Sequence, residues 1–149
     1  MTEEAKAIKP TKERKISHES AENQLESFLE YYDIEFDDIE NDRSHDAAMQ
    51  TKKKIIRAIV SGRVEINEVD GVPLISQHLK NTDEEKTLNY VEITGRHKLV
   101  LDQKKEDKNY SKIYTLLASL SNTSESVIAK LKAADMGIAE SLGFLFLQV

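Results

Sequence analysis

The sequence predicts a mostly helical α+β fold: a small three-stranded antiparallel meander covered by helices. Three observations over its 149 residues predict it. Apolar residues recur at helical spacing before residue 62 and again after residue 110. Between them the period shortens to two, with Val64 and Ile66 alternating with Glu65 and Asn67. Finally, Asp70-Gly71 and "KNTDEEK" punctuate that middle stretch as turn and loop. The implied plan is a flexible tail over 1–16 and one domain over 17–149. Within that domain, two N-terminal helices precede a meander over 63–93, and further helices fill 95–149.

The tail is inferred from composition. Residues 1–16 lack periodicity, contain Pro10 and mix small with charged side chains. A first helix over 19–32 follows, because Ala21, Leu25, Phe28, Leu29 and Tyr32 share one helical face. Ser17 or Ser20 suits its N-cap. The acidic stretch "DIEFDDIENDRSHD" has the flavour of a calcium loop, but the pattern fails. A loop starting at Asp33 places Asp38 at the glycine position and Ser44 at the bidentate glutamate. One starting at Asp38 places Arg43 and Met49 there. It reads as a solvated connector.

A second helix covers 44–61. Ala48, Met49, Ile55, Ile56, Ile59 and Val60 fall within an arc of roughly 140°. Lys53, Lys54 and Arg57 lie outside it, and Lys52 sits inside it, where its stem must snorkel. Gly62 closes the helix. In the meander, Pro73 restricts the start of the second strand to an edge or a bulge, and "TLNYVEI" supplies the third. A helix over 96–103 and a break at "KKEDKN" come next. Ile113, Leu116, Leu117 and Leu120 then form a stripe, Ser121–Ser124 a polar break, and Val127, Ile128 and Leu131 a second short stripe. Asp135 is the expected N-cap of the last helix, along which Ile138, Leu142, Leu145 and Val149 recur.

Composition narrows the chemistry. There is no cysteine, so disulfides, thiol catalysis and thiolate metal sites drop out, and an intracellular setting fits. No run approaches the roughly 20 apolar residues of a membrane span, and the N-terminus has no apolar signal core. The net charge is −6, which opposes general binding to a phosphate backbone. His18, His45, His78 and His97 stand apart, outside zinc-ligand spacings. With five glycines in the chain, a phosphate-cradling loop has little material. No catalytic, cofactor-binding or metal-ligating residue is assigned, and the expectation is a protein that is not an enzyme.

What remains is interaction. The ending "LGFLFLQV" is apolar nearly all round, and a helix of that kind is either deeply buried or offered to a partner. In a domain this small, hiding every side without a second subunit or a client is hard. Leu142, Phe144, Phe146 and Leu147 are therefore the candidate partner-binding residues, and a homo-oligomer is one way to cover them.

The strand-to-helix step "TLNYVEITG", the turn "LLASLS", the Ile128/Leu131/Asp135 spacing and the Leu-Gly-Phe-Leu ending together resemble the tail assembly chaperones of long-tailed bacteriophages. The resemblance spans about residues 72–149. It implies a non-enzymatic, cofactor-free morphogenesis protein of the host cytoplasm. Such a protein coats the long apolar helix of the tape measure protein, helps recruit tail tube protein and leaves before the virion is complete. Those chaperones usually begin near the hairpin, whereas here two helices come first. Two other readings stand beside it: a structural virion component such as a head–tail connector or decoration protein, and a small DNA-binding regulator using Lys53, Lys54 and Arg57.

Overall fold

The computed structural model describes residues 16–35, 42–80, 86–103 and 109–149. Apart from Ile16, the expected tail lies outside the described residues. So do 36–41 of the acidic connector, 81–85 of the loop between the second and third strands, and 104–108 of the "KKEDKN" break.

Helix α1 (His18–Tyr31) starts where Ser17 accepts the Ser20 N–H at 3.0 Å, the serine cap read from sequence. Ala21, Leu25, Phe28 and Leu29 form its buried face. Helix α2 (Asp42–Val60) begins two residues before the expected start at 44. It buries Ala48, Ile55, Ile56, Ala58 and Ile59. The two helices run antiparallel. The Ile16 N–H donates to the Val60 carbonyl at one end, and Lys52 reaches Glu26 at 2.8 Å further along. Lys52, only 16% exposed, thus ends on a carboxylate of the facing helix.

Strands β1 (Val64–Val69) and β2 (Val72–His78) form a hairpin that pairs Val64 with Gln77 and Val69 with Val72. Asp70 and Gly71 both take positive φ, 54° and 83°. That is the two-residue turn whose twist matches the strands, and only residues tolerant of the left-handed region fill it cheaply. The His78 N–H donates to the Arg63 carbonyl, which sets the alternation. Ile75 and Gln77 turn their ladder groups toward the third strand, and Pro73 falls in the same phase. That strand, β3 (Thr87–Asn89), pairs only with Ser76, Gln77 and His78. Pro73 therefore sits where the ladder has already stopped, and its missing N–H costs no sheet bond.

The third strand is shorter than "TLNYVEI". Tyr90 still donates its N–H to the Ile75 carbonyl, but the Val91 N–H goes to the Leu120 carbonyl. The chain leaves the sheet there to satisfy a helix end. Helix α3 (Gly95–Leu99) then tightens into a 3-10 turn over Val100–Gln103. Helix α4 (Asn109–Ser121) buries Leu116, Leu117 and Leu120. Helix α5 (Glu125–Ala129) starts with Ser124 accepting the Val127 N–H at 3.3 Å.

Helix α6 (Ala133–Leu147) corrects one expectation. Its N-cap is Lys132, which makes no side-chain cap bond, and Asp135 lies inside the first turn, 1% exposed. The Asp135 carboxylate instead accepts the Lys80 N–H at 2.9 and 3.1 Å. It anchors the chain leaving β2 rather than its own helix. Of the two alternatives for the apolar ending, burial accounts for most of it. α6 hides most of its circumference within this one chain, because α2 and α4 pack against it and aromatic rings close around its end. Phe146 stands 6.2 Å from Phe28 and 5.2 Å from Tyr90, centroid to centroid. Against α4 the approach is very close. A Cβ on Gly143 would meet Ile113 Cγ2 at 2.5 Å, so glycine is what lets the two helices seat.

Candidate functional site

The four residues singled out near the C-terminus separate once placed. Leu142 and Phe146 are 0% and 2% exposed and belong to the core. Phe144 is partly buried and packs against that core. Leu147 is 37% exposed. Of the four, Leu147 presents the most surface.

Apolar surface gathers instead between α1 and α2. A cleft of about 480 Å³ opens there, lined by His18, Glu22, Met49, Lys52, Lys53, Ile56, Arg57 and Val60. Helical spacing builds it. Met49, Lys53, Ile56 and Val60 follow one another at steps of four, three and four, so they run as a line down one side of α2. His18 and Glu22, an i,i+4 pair at 2.5 Å, form the opposing wall on α1. Met49 and Val60 are half-buried and Ile56 is buried, which gives the cleft an apolar floor.

The rim is cationic on a protein that is acidic overall. Lys52, Lys53 and Arg57 face one lining carboxylate, Glu22, and that carboxylate is taken by His18. Lys52 is held by Glu26. Lys53 and Arg57 are exposed, and among the described residues neither has an ion-pair partner. The basic face seen in the sequence is therefore divided. Lys53 and Arg57 border the cleft, whereas Lys54 turns to α6, its Nζ 4.0 Å from where a Cβ on Gly137 would stand.

Two polar constellations were not foreseen from the sequence. On the outer face of the sheet, the His78 Nδ1 meets Thr87 Oγ1 at 3.0 Å, while its Nε2 lies 3.3 Å from Glu65. The order hydroxyl, imidazole, carboxylate has the outline of a nucleophile triad, but the buried Nε2 makes no hydrogen bond, so the link from imidazole to carboxylate is missing. Cross-strand geometry accounts for it: His78 and Thr87 are register partners on an open sheet face. The second constellation is interior. Tyr90 donates its hydroxyl to Gln77 Oε1 at 2.9 Å, and Gln77 Nε2 donates to the Asp135 carbonyl at 2.8 Å. Gln77 is wholly buried, and burial raises the Tyr90 phenol far above its ordinary range. This chain of bonds ties β2, the end of the sheet and α6 together, a structural task rather than a chemical one.

Among the described residues no cluster of three or more His, Asp or Glu is arranged to hold a metal ion, and no helix is long and apolar enough to cross a membrane. No family model, curated protein or solved structure matches the chain.

Proposed function

We propose that this chain is a non-enzymatic assembly chaperone of the kind that builds long phage tails. In this reading it holds the apolar helical surface of a tape measure protein in solution and passes it to tail tube subunits. The observation that carries the reading is the α1–α2 cleft, an apolar floor of Met49, Ile56 and Val60 that the described residues leave open beside a closed core. Helix-in-groove recognition needs such a floor, with polar groups at its edge to set orientation. An apolar surface rimmed by charge also suits a client that must later be released, since weak, repackable contacts favour turnover.

Co-expression tests the reading. The tape measure protein, made alone, is expected in the insoluble fraction; made with this chain it is expected in a soluble complex that can be isolated. Mass spectrometry of finished particles is expected to lack the chain. A tape measure protein that stays insoluble in its presence would remove the chaperone function, and stoichiometric amounts in mature virions would replace it with a structural role.

A further inference from the structure

Resting on that reading, we infer the chemistry of the client segment: an amphipathic helix whose apolar stripe is flanked by Asp or Glu, docked along α2 in the α1–α2 cleft. Charge complementarity selects this client. The cleft joins an apolar floor, formed by Met49, Ile56 and Val60, to two exposed cations with no ion-pair partner among the described residues, Lys53 and Arg57. These cations are four residues apart on α2, so their attachment points stand roughly 6 Å apart along the helix axis. Carboxylates at i and i+4 on a client helix have the same spacing and meet both cations at once.

The other polar groups of the lining are already committed. The lining sets Lys52, Lys53 and Arg57 against one carboxylate, Glu22, which contacts His18, and Lys52 is paired with Glu26, so the rim keeps a cationic excess. A client flanked by lysines would set like charges against Lys53 and Arg57, which disfavours it. The net charge of the chain, −6, makes this cleft a local exception. The cationic rim runs against the overall sign of the chain, so a negatively flanked helix is favoured at this cleft.

Two fluorescent peptides serve as probes: a helical 20-mer, in order of magnitude the length of a 30 Å helix, with a leucine stripe flanked by glutamates, and the same peptide flanked by lysines. Anisotropy with the full chain is expected to show the glutamate peptide binding about tenfold more tightly, with the preference shrinking as salt rises. The double variant Lys53→Glu/Arg57→Glu, both positions exposed and its fold checked by circular dichroism, is expected to invert the preference. The inversion separates loss of the site from loss of the fold. Equal binding of both peptides, or a preference the double variant leaves unchanged, overturns the proposed chemistry. If the co-expression complex still forms in that case, the chaperone reading stands without it.

Discussion

Tyr90→Phe probes the interior polar chain most directly. The substitution keeps the ring that packs on Phe146, 5.2 Å away, and deletes only the hydroxyl that donates to Gln77 Oε1. Gln77 is 0% exposed, so its abandoned oxygen has no water to turn to. A buried acceptor left without its donor costs about 1–3 kcal/mol, and in a chain of this length each kcal/mol lowers the Tm by about 2–4 °C. Gln77→Leu is expected to cost more, because it strands the Tyr90 hydroxyl and also removes the donor to the Asp135 carbonyl. The double variant removes both ends of the bond. It is therefore expected to be less destabilised than the sum of the singles, by a coupling of about 1–2 kcal/mol. Urea unfolding followed by circular dichroism measures all four corners of this cycle. If Tyr90→Phe changes stability by less than about 0.5 kcal/mol, or if the two changes simply add, the bond carries no net stability and the argument from burial is wrong.

The other expectations are quickly put. Asp135→Ala should cost about 1–3 kcal/mol by leaving the Lys80 N–H without its acceptor. Asp135→Asn should cost less, with hydrogen exchange at the Lys80 amide rising in the alanine variant first. At α3 the Thr94 N–H donates to His97 Nδ1 at 3.0 Å, which requires that nitrogen to be unprotonated. Burial, and then the neighbouring Arg96 charge, hold the His97 imidazole below its ordinary value of 6.5. The unfolded chain therefore takes up the proton first, so this site's stability is complete above about pH 6.5 and is lost as pH falls through the folded value. An NMR titration of the His97 ring should give a midpoint below 6.5, and His97→Gln should flatten the pH dependence of urea unfolding in that window. Phe146→Ala should cost about 3–5 kcal/mol as a core truncation, whereas Leu147→Ala, at a site 37% exposed, should stay within about 1 kcal/mol. Equal losses from the two would contradict their placement.

Local pattern carried most of the architecture. Helical spacing located α1, α2, α4 and α6, and Asp70-Gly71 placed the hairpin to the residue, because these signals depend on neighbours within one or two turns. What stayed hidden depended on partners distant in sequence. Asp135 has the look of an N-cap, but its acceptor role is claimed by Lys80, 55 positions away, and no local rule weighs that competition. Gln77 alternates correctly for an inward strand residue, yet a glutamine on a core face is legible only once Tyr90 and α6 are known to surround it. The third strand ended early for the same reason: the Leu120 carbonyl captured the Val91 N–H. In the cleft, Met49, Ile56, Val60, Lys53 and Arg57 were all read correctly as parts of α2. Their common role appeared only when His18 and Glu22 became the facing wall.

The fate of α6 reshapes the functional argument. An apolar terminal helix first invites the idea that its surplus surface is what a client binds. Packing consumes that surplus: α2, α4 and the rings of Phe28 and Tyr90 enclose Leu142, Leu145 and Phe146. With that helix spent on the core, the proposed client surface must be something less apolar and more selective. The α1–α2 cleft is of that kind, with half-buried Met49 and Val60 for adhesion and Lys53 and Arg57 for sorting. It also lies in the two N-terminal helices, outside residues 72–149. The working hypothesis is thus a division within the chain. Residues 72–149 supply a scaffold locked by Gln77, Tyr90, Asp135 and Gly143, and the added helices supply the grip. Damage to the lock should appear as lost stability, and damage to the rim as lost or inverted selectivity at unchanged stability.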